Sequence, residues 1–366
     1  MVVQSRAGRG RDCEGDPGLS GSAVVRGVSD TKDSWAVLAA LRFFLASTVM
    51  LGHFSLYIRF DHTGTFGAGL LNPLSAVFGF FILSGYSIAA SLDRESSNYY
   101  LRRVARIWPM YLFCIISSLV MFVVFFPRGF AWPLLQTVSP PATGIQIIAS
   151  LLMLQTIVAG PIPIAGVTWS LAAEWWHYMV APLLKRAPSA LLAVLMLLSF
   201  GVYIAINRPD SGDLNHGVGI VALSWFWVTG FLYYRHRGTP IGFALLVFPS
   251  ILAFFLGRFV GFPLFIATTV LVLSAEFRLS ARVRRVFNYC GEVSFPLYLF
   301  HMQVFVALLS LGVRRSIIIL LGPPLFSAAT LYFVDHPSRA ALISWFGDSG
   351  RRKTYPGRPV PGAATE

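Results

Sequence analysis

Trp35-Ala36-Val37-Leu38-Ala39-Ala40-Leu41-Arg42-Phe43-Phe44-Leu45-Ala46-Ser47-Thr48-Val49-Met50-Leu51-Gly52-His53-Phe54-Ser55-Leu56-Tyr57-Ile58 is an apolar run interrupted by two ionisable side chains, Arg42 and His53. A helix needs about 20 residues to cross the hydrocarbon core of a bilayer, and this run exceeds that. Eleven positions separate Arg42 from His53. At 3.6 residues per turn that is three turns and about 20° over, so both side chains share one face, about 16 Å apart along the axis. Ionisable groups at membrane depth are costly and face a cavity, a partner or a pathway rather than lipid, so the pair points to function as well as to fold.

The rest of the chain agrees with a membrane class. Of 366 residues, 55% are hydrophobic and only 12% charged, about half the charged fraction of a soluble domain. The formal charge of +13 is concentrated in short clusters between apolar runs, which reads as topology determinants rather than as a nucleic-acid surface. Cys13, Cys114 and Cys290 lie far apart and the histidines show no HxxxH or HExxH spacing, so neither a disulfide framework nor a metal site is expected. Lysine occurs only at 32, 185 and 353, and this preference for arginine fits the codon usage of a GC-rich bacterial genome.

Apolar stretches recur at about 35–58, 69–91, 106–126, 169–184, 189–206, 217–234, 241–256, 259–277, 289–312 and 316–335. The fold expected is all-α, a polytopic transmembrane helical bundle of about ten spans. Residues 1–34 read as a disordered cytoplasmic lead, 35–340 as the membrane domain and 341–366 as a polar cytoplasmic tail. One further apolar run, Ile145 to Ala159, either crosses or forms a re-entrant or interfacial piece. If it does not cross, both termini share a side with Arg94, Arg102, Arg103, Arg106, Lys185, Arg186, Arg235, Arg237, Arg278, Arg282, Arg284 and Arg285, leaving Arg59, Arg128, Arg208, Arg258, Arg314 and Arg315 outside. The positive-inside rule favours that arrangement, with cytoplasmic ends and a long, partly apolar outer loop from Pro127 to Val167.

Three blocks carry candidate chemistry. His53 is the candidate general base, since a neutral imidazole accepts a proton from a hydroxyl at pH 7; a packing histidine is the plainer alternative. Arg103 and Arg106, three apart at a membrane boundary, share a helical face and suit a phosphate-bearing ligand, although orientation alone would also explain them. Glu174, in Thr168-Trp169-Ser170-Leu171-Ala172-Ala173-Glu174-Trp175-Trp176, is positioned to orient His53, to contact an acceptor or to pair with an arginine.

In order along the chain stand Leu38-Ala39-Ala40-Leu41-Arg42 with ten residues before His53, then Phe80-Phe81-Ile82-Leu83-Ser84-Gly85 and Arg103-Val104-Ala105-Arg106. Trp169-Ser170-Leu171 with Glu174, Ser294-Phe295-Pro296-Leu297-Tyr298-Leu299-Phe300-His301 and Asp335-His336-Pro337 follow. In this order they resemble the acyltransferase-3 family, integral membrane acyltransferases of bacterial surface polysaccharides and secondary metabolites. The resemblance implies that His53 acts at the acyl-transfer step, with Arg42 in the same motif and Arg103 and Arg106 on the acyl-CoA side. Departures from the family pattern are Ala172-Ala173, Trp175 after Glu174, and Asp335 where Glu is common.

The expected activity is transfer of an acyl group, most simply acetyl, to a hydroxyl of a glycan or glycosylated metabolite. Acyl-CoA, most simply acetyl-CoA, is the co-substrate, and no cofactor is bound permanently. His53, Arg42 and Glu174 are the catalytic candidates, Arg103 and Arg106 hold the donor, and Trp169, Ser170, Ser84 and His301 line the substrate site. The partners are acyl-CoA, a carbohydrate-containing acceptor and the lipid bilayer, in a multi-pass protein of the bacterial inner (plasma) membrane. A transporter or flippase for a glycosylated or anionic metabolite is the alternative, since buried Arg, His and Glu would also line a pathway.

Overall fold

The structure is a computed structural model describing residues 31–55, 72–95, 98–125, 142–206, 217–256, 262–342 and 344. The expected lead up to residue 30, most of the expected tail, and Arg59, Arg128, Arg208 and Arg258 lie outside the described residues. The described residues are helical apart from turns and one isolated bridge between Gln155 and Ala159. In chain order the helices are α1 Lys32–Phe54, α2 Pro73–Arg94, α3 Tyr99–Phe125, α4 Gly144–Leu151, α5 Thr168–Arg186 and α6 Ser189–Ala205. Then come α7 Val218–His236, α8 Pro240–Leu256, α9 Phe262–Leu273, α10 Ala281–Ser310 and α11 Ser316–Thr330, which continues through a π-helical turn, Leu331–Asp335, to Leu342.

Five of these are long and apolar enough to cross a membrane: α1, α2, α3, α10 and the continuous helix Ser316–Leu342. The helices expected from the other apolar runs are present but shorter, α9 spanning only 12 residues. The starts of α1 and α2 follow ordinary capping chemistry. Thr31 accepts a hydrogen bond from the Ser34 amide, which begins α1 three residues ahead of the apolar run. Asn72 does the same for Ser75, with Pro73 opening α2 where a missing N–H costs nothing.

Side-chain pairs give the helix directions. Asp33 binds Arg284 at 2.8 Å and His53 meets His301, so α1 and α10 run parallel along their length. Phe78 stacks on Phe226 while Tyr86 meets Tyr234, so α2 and α7 also run parallel. They approach closely at Gly85 and Gly230, where a Cβ would overlap the carbonyl of Trp227 or of Ile82. Trp108 meets Trp175 and Tyr99 meets Tyr178, so α3 and α5 are antiparallel. Phe300 meets Phe326 and Glu292 meets His336, which turns the last helix back toward the end where α1 and α10 begin.

That end gathers the basic clusters. Arg235 donates to the carbonyls of Leu184, Lys185 and Ala187, Lys185 donates to Leu92, and the Arg94 guanidinium lies over the Trp35 ring. The run Ile145 to Ala159 resolves into α4, eight residues and therefore about 12 Å, followed by turns with positive φ at Met153 and Thr156. Its buried Gln155 donates to Tyr111 at 2.9 Å, so the segment packs against the middle of α3.

Candidate functional site

A cavity with about 910 Å³ of empty space, counted out into its open mouth, enters the bundle between α2, α3, α5 and α10, with Arg42 of α1 in its wall. Its α2 lining runs from Ile88 inward to Val77, eleven residues or about 16 Å. Arg42, Arg103, Arg106 and Glu174 all line it. Three guanidinium groups and one carboxylate therefore face a common space, whose remaining wall includes the apolar side chains of Val77, Phe80, Phe81, Ile107, Leu171 and Phe295. Such a space suits a ligand with an anionic end and an apolar or amide-bearing arm.

Two of the three cations are aimed by their neighbours. Arg42 donates through Nη2 to Ser87 Oγ at 2.6 Å, and that hydroxyl donates to the Leu83 carbonyl one turn earlier. Arg103 donates to Ser91 Oγ at 3.0 Å and lies near the rings of Tyr99 and Tyr178. Its Nε is buried with no hydrogen-bond partner among the described residues. Arg106 is exposed at the mouth.

Glu174 accepts a hydrogen bond from the Tyr178 hydroxyl, one helical turn on, and Tyr178 in turn accepts from Ser84 Oγ at 3.2 Å. Ser84 also accepts from Trp227 Nε1 at 3.3 Å. Ser170 Oγ and the Tyr298 hydroxyl are 2.6 Å apart in the deeper wall. Ser84 and Ser170 thus line the cavity as well, whereas Trp169 is half-buried outside its lining.

His53 and His301 do not line the cavity but face each other beside it. His53 Nδ1 is 2.8 Å from His301 Nε2, with the rings only 12° from parallel. His301 Nδ1 points at the carbonyl oxygens of Leu297 and Tyr298, at 3.1 and 2.9 Å. Carbonyls only accept, so Nδ1 carries the proton, and in the neutral pair His301 Nε2 accepts the Nδ1 proton of His53. The lone pair of His53 is then on Nε2. Tyr298 joins the two parts: its phenol lines the cavity and its carbonyl holds His301.

His301, rather than Glu174, therefore takes the Nδ1 proton of His53. Sequence reasoning also passed over Ser87, Tyr178 and Tyr298. The spacing Glu174 to Tyr178 is a one-turn signal open to a sequence reading; the pairing of Arg42 with Ser87 has no such signal.

A bundle with membrane-length helices around a cationic cavity is that of a multi-pass membrane protein. Residues 35–334, nearly the whole chain, match the acyltransferase domain of the acyltransferase-3 family, and the chain belongs to that family. It is a membrane acyltransferase, as the ordered motifs led one to expect. No curated protein and no solved structure matches it.

Proposed function

We propose that this acyltransferase moves an acyl group, most simply acetyl, from acyl-CoA to a hydroxyl of a carbohydrate-containing acceptor at the inner membrane of a bacterium. The observation that carries the reading is the arginine-lined cavity ending at Tyr298, one helical turn from the His53–His301 pair. Arg103 and Arg106 hold the anionic donor at the mouth and Arg42 stabilises charge further in. His53 Nε2 takes the proton of the acceptor hydroxyl as its oxygen attacks the thioester carbonyl. The C–S bond then breaks, and the proton passes from His53 to the departing thiolate, giving an ester and free CoA. His301 holds the His53 ring, and Glu174 with Ser84, Ser170 and Trp169 contacts the acceptor.

The helix directions fit ten crossings with both ends on one side, and the basic residues at that end make it the cytoplasmic one under the positive-inside rule. A parallel α1 and α10 require an odd number of crossings between them, and α2, α3 and α5 to α9 make seven if α4 and its turns do not cross. The antiparallel α3 and α5 return the chain to the same end in the same way.

Purified protein incubated with radiolabelled acetyl-CoA and a panel of glycans tests the reading. Label covalently attached to an acceptor, lost in His53→Ala, is the expected result. Uptake or flipping without covalent label would replace it with transport.

A further inference from the structure

A second opening, of about 1100 Å³ of empty space, lies at the basic end of the bundle. Three helices line both it and the arginine cavity, each through residues four positions apart: Ile88 and Leu92 on α2, Arg103 and Tyr99 on α3, Tyr178 and Pro182 on α5. Four residues of helix rise about 6 Å, so the opening continues the cavity by one turn toward the basic end. Tyr99 stands between the two, its hydroxyl donating to the Tyr178 carbonyl and its ring beneath the Arg103 guanidinium.

The chemistry of this opening differs from that of the cavity. Lys185 and Arg186 line it, both exposed, together with the ring of Tyr100, which is 48% exposed and edge-on to Tyr99. The Tyr100 hydroxyl donates to Met179, which fixes the ring. Lys185 donates to the Leu92 carbonyl and lies 3.8 Å from Asp93, while Arg186 has no hydrogen bond or ion pair among the described residues. Cations that only set orientation need neither an opening nor a fixed aromatic face beside them.

Resting on the acyl-CoA reading above, we infer that this opening is the subsite for the nucleotide end of the donor. Its adenine stacks on Tyr100 and its 3′-phosphate meets Arg186 and Lys185, while the diphosphate passes Tyr99 to reach Arg103 and Arg106 and the pantetheine arm runs on into the arginine cavity. A base stacked on an aromatic ring with cations along its phosphates is a recurring mode of nucleotide binding.

The test measures binding of CoA and of pantetheine, the same arm without the nucleotide, to the full chain in phosphatidylcholine nanodiscs. The double variant Lys185→Ala with Arg186→Ala weakens CoA about tenfold or more and leaves pantetheine unchanged. Tyr100→Ala acts in the same direction, and adenosine 3′,5′-bisphosphate displaces CoA from the unaltered protein. Retained pantetheine binding shows that the variants are folded, as expected because Arg235 grips backbone carbonyls rather than the Lys185 and Arg186 side chains. Unchanged CoA affinity, or equal loss for both probes, overturns the subsite. An effect seen only in discs containing anionic lipid overturns it in favour of a lipid headgroup. If the unaltered protein binds no CoA at all, the donor reading fails instead.

Discussion

His53 on α1 and His301 on α10 meet at 2.8 Å, and the carbonyls behind His301 give their hydrogen bond a direction. His301 accepts, so a replacement that can still accept is expected to preserve much of the activity. His301→Gln, through its amide oxygen, retains activity that His301→Leu loses by about tenfold or more, the cost of leaving a buried donor unpaired. A side chain that only filled space would be replaced better by leucine, and comparing kcat for the two variants separates these roles.

His53→Ala is expected to lower kcat by about 10² to 10⁴, the usual contribution of general-base assistance. The variant should insert and run as a single species on size exclusion, since it deletes one side chain from a bundle held by many other contacts. Near-normal transfer of labelled acetyl would end the assignment of His53 as the base.

Arg42 is half-buried and aimed by Ser87. Arg42→Ala is expected to lower kcat/KM more than Arg42→Lys, because lysine keeps the charge but not the planar fork of donors. Ser87→Ala removes one aiming hydrogen bond and should cost only severalfold. Equal effects of all three substitutions on kcat/KM would show that the cation does not act on the substrate.

Gly85 tests the packing of α2 on α7. Gly85→Val forces a side chain into the Trp227 carbonyl and is expected to cost about 1 to 3 kcal/mol or more, read as a lower Tm in detergent. Gly201, inside α6, has open space where a Cβ would go. Gly201→Ala should raise Tm, since it gains up to about 1 kcal/mol of helix propensity.

The direction of the helices is open to labelling. With the native cysteines replaced by serine, cysteines introduced at Ser189 and Ser280 should react with an impermeant maleimide from the cytoplasmic side, and one at Gly312 from the other. Labelling of 280 and 312 from the same side would remove α10 as a crossing helix.

Much of this was open to a reading of the residues alone. Arg42 with His53, and Arg103 with Arg106, are spacings within one helix, and helical periodicity is a local property that primary structure carries directly. The class of protein also followed from composition, because apolar runs of this length have no other economical home. Arg94, Lys185, Arg235 and Arg284, grouped on one side from their loops, do lie at one end of the bundle.

The partner of each polar group was another matter. His53 and His301 are 248 positions apart, and nothing in either neighbourhood specifies the other. Their meeting depends on α1 and α10 lying parallel in one register, which is set where Ala39 nearly touches Gly291 and where Asp33 reaches Arg284. Glu174, for which orienting His53, contacting an acceptor and pairing with an arginine were all open, accepts from Tyr178 on its own helix. Sequence by itself determined which residues share a helix face and that those helices suit a bilayer. Only the tertiary structure decided which faces meet, because that choice rests on shape fit and hydrogen-bond satisfaction between segments far apart in the chain.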